Sequence, residues 1–190
     1  VRAAFMAGQR AFGENYVQES LAKIEALADL RARIEWHFIG PLQSNKTRPV
    51  AEQFDWVHSI DRLKIAHRLS EQRPDALPAL NVCLQVNVSG EASKSGVPPA
   101  ETLALARAIA ALPKLRLRGL MSIPEPADDS QAQREPHRIL RTLFETLCAE
   151  GLALDTMSMG MSSDLEAAVL EGSTMVRIGT AIFGKRDYSQ

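Results

Sequence analysis

The residues with the clearest chemical potential lie near the end of the chain, where Arg177 stands in the apolar run MVRIGT, two residues before Gly179. A buried guanidinium is costly unless it is paired, so Arg177 predicts a buried partner, either a structural carboxylate or an acceptor on a bound ligand. Gly179-Thr180 and the earlier Gly160-Met161-Ser162 are small polar sequences at the predicted ends of the last two strands. Both sequences suit a phosphate held by backbone N–H groups, although each taken singly is more typical of a turn or a cap.

Lys94 and the histidines are the other candidates for chemistry. Lys94 lies in the loop sequence SGEASKSG, directly after the most hydrophobic predicted strand, and is either a solvated loop lysine or a reactive amine. His37, His58, His67 and His137 show neither H-x-H nor H-E-x-x-H spacing and have no cysteine pair nearby. We therefore expect no metal site. His37 and His58 fall within or at the end of strands, so each either faces a ligand or is an ordinary core or rim histidine.

One segment resembles a phosphate-binding loop. Residues 40–47 read GPLQSNKT and match the pattern G-x-x-x-x-G-K-[ST] at every specified position except the second glycine. Asn45 replaces that glycine, Pro41 removes one amide donor, and Pro49 disturbs the helix that should follow. A phosphate-loop NTPase built around Lys46 is therefore a weak alternative.

The composition is that of an ordinary globular protein, with 190 residues, 45% of them hydrophobic, and a formal net charge of -1. No global basic field is available to gather nucleic acid, and no apolar run approaches the roughly 18 residues of a membrane-spanning helix. The two cysteines, Cys83 and Cys148, lie far apart in apolar stretches, which favours a reducing compartment. We expect a cytoplasmic monomer with neither nucleic acid nor a membrane as a partner.

Short β-rich runs alternate with stretches whose apolar residues recur every three or four residues, as in a helix. This alternation of strands and helices is typical of βαβ units. The predicted strands are 10–14, 35–40, 55–60, 81–88, 115–123, 154–159 and 174–178. A capping-box pattern at Ser163 and Glu166 opens the last predicted helix. Without a linker, residues 1–190 are predicted to form a single α/β domain. Seven strands in a chain that opens inside a helix predict a (β/α)8 TIM barrel without its first strand, and an open doubly wound sheet fits the same pattern.

Several segments together resemble the pyridoxal phosphate homeostasis proteins, which are single-domain barrels of fold type III, like the alanine racemase N-terminal domain. The segments are FGENYVQE (12–19), WHFIGPLQSNK (36–46), HSIDRL (58–63), SKSG (93–96), LRGLM (117–121) and, within the run 158–184, GSTMVRIGTAIFG (172–184). The resemblance covers essentially the whole chain. It implies an eight-stranded barrel with pyridoxal 5′-phosphate (PLP) as the ligand.

The resemblance also implies roles for particular residues. Ser162, Gly179 and Thr180 would hold the phosphate, and Arg177 would meet the pyridine nitrogen. Asn15 would line the mouth of the barrel. Lys94 corresponds to a loop lysine near the cofactor. The Schiff-base lysine of the family lies at the end of the first strand, upstream of Val1, so no residue of this chain is assigned that role.

The expected function follows from the chemistry of the cofactor. A permanently charged arginine opposes protonation of the ring nitrogen, which weakens carbanion chemistry, although fold-type III racemases share this arginine. Those racemases add a β domain whose tyrosine is the second base, whereas this chain has only Tyr16 and Tyr188. We therefore predict a non-catalytic PLP carrier that takes part in intracellular PLP homeostasis and delivery to PLP-dependent client enzymes. The alternative is an amino-acid racemase of fold type III.

Overall fold

The computed structural model describes residues 1–90 and 95–184 of the chain, in which helices alternate with short strands. The helices are α1 (Arg2–Met6), α2 (Val17–Ala26), α3 (Thr47–Gln53), α4 (Leu63–Gln72), α5 (Thr102–Ala110), α6 (Ser130–Ala149), α7 (Leu165–Leu170) and α8 (Thr180–Phe183). The strands are β1 (Ala11–Glu14), β2 (Glu35–Phe38), β3 (Trp56–Ile60), β4 (Leu80–Gln85), β5 (Leu115–Met121) and β6 (Thr156–Ser158). Turns of 3-10 helix cover Ala28–Arg33, Ser44–Lys46 and Pro99–Glu101. None of the helices in the described ranges is long and apolar enough to cross a membrane.

The six described strands form one parallel sheet in chain order, from β1 to β6. The sheet curls strongly. His58 on β3 and Ser158 on β6 would be about 14 Å apart in a flat sheet, since three strand spacings separate them. Their side chains instead meet, with 2.8 Å between His58 Nδ1 and Ser158 Oγ. The α/β prediction is confirmed, with the sheet curled as in part of a barrel.

Two apolar cores lie on the two faces of this sheet. The larger one fills the space between the sheet and the helices and includes the fully buried Trp36, Phe38 and Phe54. The smaller one lies on the concave face and contains Trp56, Cys83 and Met121, with Met175 packed against it. Successive strand residues point to opposite faces, so Trp36 and His37 on β2 enter different environments. The concave face therefore collects the polar strand residues that the helices do not cover.

The seventh predicted strand, 174–178, is present only as a single parallel bridge between Ser158 and Met175. The segment still runs beside β6, because Met159 N donates to Met175 O and Arg177 N donates to Gly160 O. Its pairing is short for two reasons. It has a described neighbour on one side only, and the Ser173 hydroxyl donates to the Met159 carbonyl instead of leaving that group to a regular ladder.

Two glycines permit close approach between neighbouring strands and loops. A Cβ at Gly40 would lie 2.1 Å from Asn15 O, and a Cβ at Gly119 would lie 1.7 Å from Thr156 O. Both contacts are with backbone, which cannot rotate away as a side chain can. Any other residue at Gly40 would therefore displace the turn that follows β1.

Candidate functional site

The candidate site lies where the strands end. All six strands are parallel, so their carboxyl ends meet at one mouth of the curled sheet. Ser162 follows β6, and Gly179 follows the segment 174–178. The hydrogen bond from Arg177 N to Gly160 O places those two residues level with each other. Ser162 and Gly179, each two residues further along, therefore both lie beyond the strand ends at this mouth.

Arg177 is held by neutral acceptors. Its Nη1 donates to Ser158 O and to Ser158 Oγ, both at 2.7 Å, and its Nη2 donates to Ser122 O at 2.8 Å. Burial lowers the pKa of Arg177 to about 10, and attraction to Asp164 and Cys83 only partly opposes the shift. The guanidinium is therefore charged at neutral pH. A structural carboxylate as its hydrogen-bonding partner, one of the two options from the sequence, is wrong within the described residues.

The remaining donors of Arg177 form one edge of its guanidinium. Arginine has five N–H donors, and the contacts above use three of them. The Nε–H makes no hydrogen bond among the described residues, and one Nη2–H lies parallel to it on the planar group; we call this side of the guanidinium the open edge. An aromatic ring nitrogen is a planar acceptor that this edge could meet without disturbing the other three bonds.

The phosphate candidates are exposed at the mouth. Ser162, Gly179 and Thr180 are all solvent-accessible, and a Cβ built on Gly179 would meet no atom within 4 Å. Thr180 is the first residue of α8, and N–H groups in a first helical turn have no acceptor within the helix. The N–H groups of Thr180 and Ala181 are therefore left without an acceptor inside α8.

The loop that carries Ser162 is held by Asp164 rather than by the predicted capping box. Asp164 Oδ1 accepts a hydrogen bond from Met161 N at 2.7 Å, and Asp164 Oδ2 lies 2.9 Å from His137 Nε2. Burial raises the pKa of Asp164, but the hydrogen bonds from His137 and Met161 outweigh it, so the pKa is lowered overall. The capping role assigned to Ser163 and Glu166 is wrong, since α7 begins at Leu165 after Asp164. The sequence did not indicate the contact of His137 with Asp164, because His137 lies among the apolar residues of a long helix.

Asn15 and Lys94 stand apart from this group. Asn15 is exposed directly after β1, at the edge of the described sheet opposite β6, and its carbonyl packs on Gly40. Asn15 lies at the same mouth as Ser162 and Gly179, because it follows the carboxyl end of a strand of the same parallel sheet. Lys94 lies outside the described residues, so its predicted position near the site stays a prediction. Across the described ranges, no group of three His, Cys, Asp or Glu side chains could hold a metal ion.

The structure does not favour the phosphate-loop alternative. Thr47, which would face a nucleotide-bound metal, is fully buried. Its hydroxyl donates to Ser44 O at 3.0 Å and accepts from Arg68 Nε at 3.2 Å. The backbone of Gly40 packs against Asn15 instead of surrounding a phosphate. The resemblance of residues 40–47 to a nucleotide-binding loop is thus confined to the letters of the sequence.

Comparison with known proteins points to one family. The alanine racemase N-terminal domain family matches residues 1–187. The pyridoxal phosphate homeostasis protein of Pseudomonas aeruginosa is 65% identical over 99% of this chain and 80% of that protein. The protein of the same name from Escherichia coli K12 is 58% identical over 98% of this chain and 80% of that protein.

Solved structures agree with these relatives. PipY of Synechococcus elongatus PCC7942, solved with PLP bound, is 39% identical, with a TM-score of 0.88 over 96% of this chain and 85% of that chain. Alanine racemase from Corynebacterium glutamicum is 20% identical, with a TM-score of 0.67 over 96% of this chain and 50% of that chain, which shows a shared fold. The chain belongs to the pyridoxal phosphate homeostasis protein family, within the wider family of alanine racemase N-terminal domains.

Proposed function

We propose that this protein binds PLP non-catalytically and takes part in its intracellular homeostasis and delivery. The observation that carries the proposal is the open edge of Arg177, a charged planar donor in the segment that leads into the exposed Gly179. The homeostasis proteins to which the chain is 55–65% identical carry that function in their names. The PLP-bound PipY structure, with the same fold, supports the same ligand.

The residues of this chain would hold the two ends of the cofactor. The open edge of Arg177 would donate to the ring nitrogen, and Ser162, Gly179 and Thr180 would donate to the phosphate. Asn15 would close the mouth from the side of β1, and Lys94 would approach from its loop. PLP supplies a reactive aldehyde and an electron-withdrawing ring when bound. An arginine that remains charged keeps the ring nitrogen unprotonated, so the site stores the aldehyde rather than withdrawing electrons strongly through the ring.

PLP titration of the purified protein, followed by absorbance, tests the binding proposal. The parent protein should bind PLP, and Arg177→Gln should bind it at least about tenfold more weakly, because a charge-assisted contact is lost. Arg48→Gln is the matched control, since Arg48 is exposed on α3 and its ion pair among the described residues is with Glu52. Absence of PLP binding by the parent protein would refute the proposal.

An amino-acid racemase is the second candidate, because alanine racemase shares the fold. A racemase would interconvert L-alanine and D-alanine in the presence of PLP, and a carrier would not. Chiral chromatography of each enantiomer after incubation with a high concentration of the PLP-loaded protein separates the two. Formation of the opposite enantiomer above the rate of free PLP would favour the racemase.

We also propose that the curled sheet is part of an eight-stranded barrel within one domain. The support is the pair of unfilled edges, one at β1 and one at the segment 174–178, between which one further strand fits. That strand would carry the lysine that binds PLP covalently in this family. A structure of the complete protein in which β1 has no second neighbour would contradict this. We further propose that the protein is a cytoplasmic monomer whose partners are PLP-dependent client enzymes. Sedimentation of the purified protein would test its oligomeric state.

A further inference from the structure

A line of hydrogen-bonded side chains runs behind Arg177 across the concave face of the sheet. Ser158 Oγ, which accepts from Arg177, lies 2.8 Å from His58 Nδ1. His58 Nε2 lies 2.8 Å from His37 Nδ1, and His37 Nε2 lies 2.8 Å from Glu35 Oε1. Glu35 is the first residue of β2 and half-exposed, so the line joins Arg177 to solvent at the opposite mouth.

The protons on this line can be assigned. Arg177 can only donate, so Ser158 Oγ accepts from it, and the hydroxyl keeps one proton and one lone pair for His58 Nδ1. Burial, with lesser contributions from His37 and Arg177, holds the pKa of His58 well below 6.5, so its ring is neutral. An arrangement with one proton in each bond places the proton of His58 on Nε2, where it is donated to His37 Nδ1, and leaves the proton of Ser158 for His58 Nδ1. His37 donates its Nε2 proton to the Glu35 carboxylate, whose pKa is lowered mainly by this bond, and each of the four bonds then has one proton.

The rings in this line are held by packing as well as by hydrogen bonds. His37 stacks on Trp56, with 5.3 Å between the ring centroids and 14° between the planes. His58 is buried between His37 and Ser158, and its centroid lies 5.7 Å from that of Trp56. A ring fixed in this way cannot turn to offer Ser158 its other nitrogen. The same ring nitrogens therefore face Ser158, His37 and Glu35 along the line.

We propose that Ser158, His58, His37 and Glu35 are positioning residues for Arg177, which keep its Nη1 bound to β6 and its open edge directed at the ring nitrogen of PLP. The inference rests on the proposed function and adds to it the residues that act through Arg177. No carboxylate bonds directly to Arg177 among the described residues, so the line is its hydrogen-bonded connection to a negative charge. Asp164 and Cys83 are the other titratable groups that act on Arg177, through space.

The first arm of the test needs no cofactor. Nitrogen-15 NMR of the histidine rings in the ligand-free protein reports the position of each ring proton. At neutral pH, His37 should carry a proton on Nε2, and His58 should be neutral and protonated at Nε2. A His58 ring that is charged, or protonated at Nδ1, would overturn the proposal regardless of whether PLP binds.

The second arm compares two buried strand serines. Ser158→Ala removes the hydroxyl between Arg177 and His58 and leaves the backbone carbonyl that Arg177 also contacts. Ser59→Ala is the matched control. Ser59 on β3 is buried, as Ser158 is, and its hydroxyl has no hydrogen-bond partner among the described residues. Ser158→Ala should shift the His58 ring signals, change the absorbance of bound PLP and weaken its affinity about tenfold. Ser59→Ala should change none of these.

A conservative variant separates positioning from general packing. Glutamine at position 58 can accept from Ser158 with its oxygen and donate to His37 with its nitrogen, so His58→Gln should keep PLP affinity within about threefold of the parent protein. His58→Phe fills the same space without either bond and should behave like Ser158→Ala. If folded Ser158→Ala and Ser59→Ala proteins have the same His58 signals and the same PLP affinity, the line does not position Arg177. Failure of the parent protein to bind PLP would refute the proposed function, while the NMR arm would still decide the proton assignment.

Discussion

Replacement of Gly179 by alanine should separate cofactor binding from folding. Gly179 has a φ of -114°, which any residue adopts, and a methyl group there would meet no protein atom within 4 Å. The fold should therefore accept the change. Because alanine restricts the unfolded chain more than glycine does, the free energy of unfolding should stay the same or rise by up to about 1 kcal/mol.

The same methyl group should weaken PLP binding. It occupies the space through which a phosphate would reach the N–H groups at the start of α8. Loss of one hydrogen bond to a charged group costs about 1.5–3 kcal/mol. At about 1.4 kcal/mol for each tenfold change, the dissociation constant for PLP should rise about 10- to 150-fold.

Absorbance titration with PLP and urea unfolding would measure the two effects on the same preparations. Pyridoxal, which lacks the phosphate, is the control ligand, and Gly179→Ala should leave its affinity unchanged. An unchanged dissociation constant for PLP in the folded variant would refute a phosphate site at Gly179. An equal loss of affinity for pyridoxal would place the damage at the ring rather than at the phosphate.

Three further changes test the site and its support. Gly40→Ala should lower the free energy of unfolding by about 2 kcal/mol and weaken PLP binding, because its Cβ would lie 2.1 Å from Asn15 O; urea unfolding with an unchanged midpoint would contradict this. Ser162→Ala should weaken PLP binding about tenfold while its neighbour Ser163→Ala does not, and equal affinities in titrations of the two would exclude Ser162 from the site. Burial lowers the pKa of His58 well below 6.5, so below pH 6.5 the unfolded chain binds a proton that the folded chain does not bind. The free energy of unfolding should therefore decrease as the pH falls below 6.5. His58→Gln should fall less steeply than the parent protein in acid urea unfolding, by up to about 1.4 kcal/mol per pH unit.

Most elements could be predicted from the sequence because their signals are local. Periodicity predicted six strands that the structure contains. The predicted strand 174–178 was harder to judge. Its apolar pattern is that of a strand, but a ladder also needs neighbours, and only β6 lies beside it in the described structure. The capping box failed for a similar reason, since the side chain that holds the loop is Asp164, engaged by His137 from a different helix.

The candidate site divides in the same way. Arg177 was recognisable because a charge in an apolar strand requires an explanation, and Gly179 because small residues at strand ends mark possible anion sites. Ser158 and Glu35 carry no such mark, since a serine and a glutamate are common in any strand. His37 and His58 were noted, but their spacing in the sequence gave no reason to connect them. Nothing local indicates that these four side chains form one line.

The sequence by itself determined the order of strands and helices, the faces they bury and the family to which the chain belongs. These depend on residue type and spacing, which are readable along the chain. The tertiary structure decided which polar residues meet. His58 and Ser158 are 100 residues apart in the chain and 2.8 Å apart in the fold. Their contact exists because the parallel sheet curls and turns its uncovered face inward, a property of the whole sheet and of no single segment.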